Sequence, residues 1–540
     1  MDVDERSRLL PDQPDQDPEQ VPATSAAFPR RHLVYCILIF VVSFLVVSSS
    51  FLQVIPLFDL LMRNVCRRLH PEYDPRGPEC FLDREVGAEL MLVTRLSYVL
   101  TILPGILTAV PYGFLADQYG RKFGLFLAIV GLVLAQAFNI IVGNGSIAVV
   151  FGVYLTLSPK GIWPNVFHYR LTLISPIFMF IGGGSVVLSS ILFSMLSDIA
   201  PNAHRTTTFF GIGVSWLAAE LFVFPLATTL MHTSIWLPIF VGISLYIPTI
   251  AIALFLPETL HMKALLDDVA PDLAEAALAN QEERDGDEGN HNRPWWTRWR
   301  RSLTEGFPRF REAIVSVFWG NRQVTLLLLT LLVTSVGKGA EIMLLQFVNW
   351  RFGWDWLKVG LAFFLQSDAQ SGGIVMANPL SVQTGNLVTF KAALSVALLL
   401  LLLPAANYFL TVKREMLPKK RDLLFARIGC VSLVVGSLVV GLAPTTSLML
   451  VGLIFLCFGF PYGLILRGLL SELVDGQHHG LVFASIALME NLGGALGRPL
   501  MEVCFNRGAN FGGVWTGLPF LVAALFFVLA VILLRFVRVM

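Results

Sequence analysis

Charge is what this sequence has least of. Asp, Glu, Lys and Arg make up 14% of its 540 residues, against roughly 25% in soluble domains, so most of its length cannot build a water-facing surface. The formal net charge of +1 gives no electrostatic reason to expect nucleic acid, and no module for reading bases is visible. Cysteine is scarce too, at 6. Cys36, Cys430, Cys457 and Cys504 lie singly in apolar runs, where a thiol packs as a small hydrophobe. His478 and His479 have no further His or Cys nearby and make a poor metal site. No nucleophile, base and acid arrangement appears. The chain is therefore expected to be no enzyme and to hold no metal or cofactor.

What is abundant is hydrophobic length. Apolar residues make up 55% and the mean hydropathy is +0.68. A helix needs about 20 predominantly apolar residues to cross a bilayer. Twelve segments qualify: 33–56, 88–116, 122–143, 172–198, 206–230, 235–256, 323–349, 387–411, 424–443, 447–473, 481–503 and 514–537. The expectation is an all-α membrane protein in which six helices (33–256) and six more (323–540) flank a cytosolic linker, 257–322. With the amino end inside, Lys and Arg favour the cytosolic loops by roughly two to one.

Residues 1–32 are acidic and rich in Pro and Gln, and no secretory signal precedes the first span, so a disordered cytosolic tail is expected. Glu5-Arg6-Ser7-Arg8-Leu9-Leu10 fits an acidic dileucine sorting signal or a chance match, which leaves the cell membrane and a vacuolar or endosomal membrane both open. In the linker, Trp295-Trp296-Thr297-Arg298-Trp299-Arg300-Arg301 suits a short helix on an anionic leaflet, or a plain polar linker. Cys66 and Cys80 share the first outer loop, where either a disulfide or two free thiols is allowed. Asn144-Gly145-Ser146 is a glycosylation sequon on the same side. Residues 361–385 read as a genuine loop or as an unspliced intron.

Between the second and third spans stands Gly113-Phe114-Leu115-Ala116-Asp117-Gln118-Tyr119-Gly120-Arg121-Lys122. Gly113 and Gly120 allow close helix approach and a tight turn, and Asp117 and Arg121 are partners at i and i+4. This pattern resembles the loop joining helices two and three of the major facilitator superfamily. The resemblance implies two six-helix bundles, with the aspartate facing the amino end of helix eleven, near Gly480, and the arginine pairing with an acid that ends helix four. Asp198, followed by Arg205, occupies that position. Such contacts would latch the two halves on the cytosolic side. Gly182-Gly183-Gly184, Arg351-Phe352-Gly353-Trp354, Arg421-Asp422-Leu423 and Gly517-Leu518-Pro519-Phe520 resemble a fungal branch of the superfamily, distantly similar to tetracycline exporters and the proton-coupled folate transporter.

Ionisable residues inside the membrane mark candidate sites, because a charge at a helix centre costs about 2.5–3.5 kcal/mol on insertion scales. The candidates are Arg95, Glu220, Lys338, Glu341, Arg467 and Glu490, with Glu472 near a helix end. Lys338 and Glu341, three apart, either neutralise each other or contact substrate. Glu220 is a proton or substrate site, or an acid neutralised by another helix, and Glu490 is the second choice. Arg467 and Glu472 could form a gate pair. The glycines at 182–184 and at 493, 494 and 497 read as packing surfaces.

These features predict a monomeric secondary transporter whose partners are a small molecule, protons and the lipid bilayer. Export of a hydrophobic metabolite leads. Proton-linked uptake of an organic anion or nutrient is the alternative, and a transporter-like receptor is the reading from another class.

Overall fold

The computed structural model describes residues 30–74, 80, 83–144, 168–200, 205–259, 321–352, 391–414, 416–474 and 479–537. The sorting motif, the Trp and Arg stretch, residues 361–385 and His478 lie outside them. No strand occurs among the described residues, and twelve helices are long and apolar enough to span a membrane.

In chain order they are α1 (Arg30–Leu69), α2 (Arg84–Tyr119), α3 (Arg121–Asn144), α4 (Tyr169–Ile199), α5 (Arg205–Thr233), α6 (Trp236–Phe255) and α7 (Arg322–Ile342). The remaining five are α8 (Lys391–Lys413), α9 (Pro418–Leu442), α10 (Thr446–Leu473), α11 (His479–Phe511) and α12 (Leu518–Phe536). They form the two six-helix bundles of the major facilitator fold. Large apolar side chains face outward, with Phe255 85% and Ile247 72% exposed, as a lipid-facing surface requires.

Local chemistry explains the ends. Asp83 caps α2 by accepting from the backbone N–H groups of Val86 and Glu85, at 2.9 and 2.8 Å, and the Val86 bond leads in holding its carboxyl below the usual range. Asn321 caps α7 and Thr445 caps α10. The start of α3 is capped from a distance: Glu258, just past α6, accepts from the N–H groups of Arg121 at 2.8 Å and Lys122 at 3.1 Å. Gly120 turns the chain there at φ +107°, and a Cβ on it would run into the Glu258 carboxylate.

Two elements depart from expectation. At 1.5 Å per residue α1 is about 60 Å long, twice the hydrocarbon thickness, because its continuation past residue 56 is held in a small cluster of its own. There Cys66 is bonded to Cys80, with Cα atoms 5.7 Å apart, and Val65, Val86, Val93 and Tyr169 pack around the pair. Glu89 accepts from Tyr169 Oη at 2.8 Å and from Arg170. The span α4 begins as a 3-10 helix, Tyr169–Phe180, and becomes α-helical only at Gly184. The glycines between are more than a packing surface, since Gly182, Gly183 and Gly184 all have positive φ. By contrast Gly493 and Gly497 do serve packing: a Cβ on either would strike the α7 backbone at Leu332 or Val336.

Candidate functional site

The loop after α2 and the start of α11 meet at one end of the molecule, here termed the latch end. Asp117 accepts from the N–H groups of Gly480 and Leu481, both at 2.8 Å. These are orphan donors of the first turn of α11, where the helix dipole also favours an anion. The same carboxylate pairs with Arg121, whose Nε lies 3.2 Å from Asp198 Oδ2. Arg121 is fully buried and Asp198 nearly so, so one guanidinium stands between two buried acids.

The approach that permits this is glycine on glycine. A Cβ on Gly113 would lie 2.7 Å from the Gly480 carbonyl, and one on Gly480 would strike Arg121 and lie 2.6 Å from Asp117 Oδ1. Lys122 extends the cluster by donating to the Leu254 carbonyl. Two participants carried no sequence signal. Glu258 caps α3 across more than a hundred residues, and His479 is buried with Nδ1 3.0 Å from Ser197 Oγ and 3.6 Å from Asp198 Oδ1.

A second set of contacts joins the halves at the same end. Arg205 Nη1 donates to the Ser471 carbonyl at 3.1 Å, and Thr206 donates to the Asp422 carboxylate. Arg421 holds the other oxygen of Asp422 at 2.8 Å and donates to Thr411 at 3.0 Å. Arg205, which follows Asp198 in the sequence, thus reaches across the interface to α10. Behind both sets lies an aromatic plug: Phe483 of α11 packs 5.7 Å from Phe209 and 6.1 Å from Phe193, centroid to centroid. The latch end is closed.

Above the plug is a charged cluster. Counting 1.5 Å per residue from the latch-end helix termini, Glu490 lies about 16 Å along α11, Glu220 about 22 Å along α5 and Lys338 about 24 Å along α7. Arg467 Nη2 donates to Glu490, and its guanidinium lies 4.6 Å over the Phe193 ring. Arg467 therefore pairs with Glu490 and not with Glu472. Glu341 pairs with Lys391 of α8 at 2.8 Å, so of the two readings of Lys338 and Glu341 the mutual ion pair is not the one formed. Residues three apart on a helix differ by about 60° in direction, and Glu341 points at α8 while Lys338 points toward Gly463 of α10. The Glu341–Lys391 pair also supplies the charges that act on Glu220.

Arg95 is not part of this cluster. It lies about 33 Å along α2 from Asp117, exposed, and pairs with Glu502 of α11. Beside it Arg498 sits 3.8 Å over the Tyr98 ring. Helices α2 and α11 thus touch at both ends. Asn144 is the last residue of α3, and the rest of its sequon is outside the described residues. No group of three or more His, Cys, Asp or Glu side chains suited to a metal occurs among the described residues.

No family model matches the sequence. The chain is 27% identical over 425 residues to the MFS efflux pump atnC of Emericella nidulans, covering 78% of this chain and 70% of that one. It is 25% identical over 454 residues to the efflux pump ustT of Aspergillus flavus, covering 82% and 76%. Among solved structures it superposes on the human organic anion transporter MFSD10 with a TM-score of 0.58 and 16% identity, over 94% of this chain and 99% of that one. The fold is that of solved transporters over nearly the whole chain, the sequence is similar to fungal efflux pumps, of which atnC is named as an MFS protein, and twelve helices are long and apolar enough to span a membrane, so the chain is a multi-pass membrane protein with the major facilitator fold.

Proposed function

We propose that the protein is a proton-coupled exporter of a small organic molecule, working by alternating access between the halves 33–256 and 323–540 as a monomer in the cell membrane. Glu220 carries the proton reading. It lies partly buried near the middle of α5, beside an ion pair already matched within itself, and has no hydrogen bond or ion pair among the described residues. An intramembrane acid without a fixed counter-ion needs its charge met by something that comes and goes. Export is supported by the two fungal relatives, each named as an efflux pump.

Purified protein in vesicles tests the coupling. An imposed pH gradient should drive accumulation, and Glu220→Gln should abolish gradient-driven accumulation while retaining exchange of substrate across the membrane, because the amide mimics the protonated acid. A Glu220→Gln protein that responds to the gradient like wild type passes the role to Glu490 or Glu341. Cells overproducing the transporter should retain less of the exported compound, and greater retention would reverse the direction. Location by a fluorescent tag separates the cell membrane from a vacuolar one.

A further inference from the structure

The charged cluster contains three cations, Lys338, Lys391 and Arg467, and three acids, Glu220, Glu341 and Glu490. Two ion pairs account for four of them. The two left over, Glu220 and Lys338, make no hydrogen bond or ion pair among the described residues. Lys338 faces Gly463 of α10. A Cβ there would lie 3.9 Å from Lys338 Nζ and only 3.3 Å from both Arg467 Nη1 and Glu490 Oε1, so the glycine lets three charged heads converge on one point.

We infer that Lys338, the cation the two ion pairs leave over, receives a carboxylate of the transported molecule, and that an organic acid crosses together with one proton on Glu220. This rests on the reading of Glu220 as the proton site. With Glu220 ionised and no substrate, cations and acids in the cluster balance. A bound carboxylate adds one negative charge, and one proton taken by Glu220 restores the balance. Both translocating states are then neutral: the empty carrier with ionised Glu220, and the carrier holding the anion with protonated Glu220. The charges facing these two groups are Glu341 on α7 and Lys391 on α8 for Glu220, and Glu341 on α7, Arg467 on α10 and Glu490 on α11 for Lys338, with the Cys430 thiol of α9 also nearby. All but Glu220 and Lys338 are already paired or uncharged. Export by this route is driven by the substrate's own outward gradient and is opposed by an inward proton gradient, whereas a pH gradient imposed on vesicles drives accumulation on the side to which protons flow.

The test uses full-length protein in detergent with 2-naphthoate and its neutral counterpart 2-naphthamide as probes. Naphthoate should raise the melting temperature and the amide should not. Lys338→Gln should weaken naphthoate at least about tenfold, while Lys338→Arg, which keeps the charge, should bind within a few-fold of wild type; a melting temperature without probe shows that each variant is folded. In weakly buffered solution, binding should take up close to one proton per naphthoate in wild type and none in Glu220→Gln. Equal protection by the amide, unchanged affinity in Lys338→Gln, or no protection at about 10 mM probe, a range that already admits very weak binders, would overturn the carboxylate site. Naphthoate binding lost in Lys338→Gln but with no proton uptake would keep the anion site and remove the proton from it. A wild-type gradient response in Glu220→Gln defeats the proposed coupling without touching the binding result.

Discussion

On the α2 side of the closed end, Asp117 binds the amino terminus of α11 through two N–H groups, and a fully buried arginine ties it to Asp198. On the α9 side, Asp422 reaches only a threonine hydroxyl across the interface, and Arg205 adds one bond to a carbonyl. Both sets close the same gap, but only the first places a full charge against a helix terminus and shares one cation between two buried acids. The bonds on both sides have an ionised partner, but the α2 side adds the helix dipole and a second acid on the same cation. The α2 side should therefore carry most of the energy that holds the closed state, with the α9 side a weaker second fastening.

The largest effect should come from Arg121→Ala, which leaves Asp117 and Asp198 buried without their cation. Breaking a buried pair in this way costs about 3–5 kcal/mol. Transport should fall at least tenfold at matched surface abundance, with a lowered melting temperature. Arg121→Lys should rescue little, since a point charge cannot serve two acids through a planar fork. Next comes Asp117→Asn, where coupling energies of about 1–3 kcal/mol imply a several-fold or greater loss of cycling in a protein that still inserts. Wild-type transport by both Asp117→Asn and Arg121→Ala would remove the latch from the account.

Gly480→Ala should come close to Asp117→Asn without altering any charge, because the added methyl strikes the Arg121 guanidinium and crowds Asp117. Transport in that variant equal to wild type would mean that the two helices need not approach so closely. Thr206→Val should have the smallest effect, because it removes one bond to the Asp422 carboxylate, about 1.5–3 kcal/mol, and leaves that acid its arginine; initial rates should change less than in Asp117→Asn. If Thr206→Val impairs uptake into vesicles as severely as Asp117→Asn, the two fastenings are equal and the asymmetry is wrong.

Much of this was legible in the sequence because it is local. The Asp117 and Arg121 spacing, the glycines at 113 and 120 and the apolar length of each span are written in runs of ten to thirty residues. The acid at Asp198 and the start of α11 near Gly480 came from the family resemblance, and the geometry brings the first to Arg121 and the second to Asp117, the two members of one ion pair. What failed was partner choice between helices. Lys338 looks like the partner of Glu341 because it is three residues away, yet Lys391, fifty residues on, takes that place. Glu258 and His479 reach the latch from helix ends whose neighbours no periodicity reveals. Arg95 reads as an intramembrane charge until α2 is seen to place it far from the latch end, opposite Glu502.

The central claim is that the α2 and α11 contact holds the latch end shut. Spin labels at Phe123→Cys on α3 and Lys413→Cys on α8, both exposed at that end and on opposite halves, report the gap by pulsed electron resonance after the four free cysteines are replaced by serine. Without substrate, the parent protein should show mainly the short distance, and Asp117→Asn should shift population to a longer one. A distance distribution in Asp117→Asn that overlays the parent would contradict the claim.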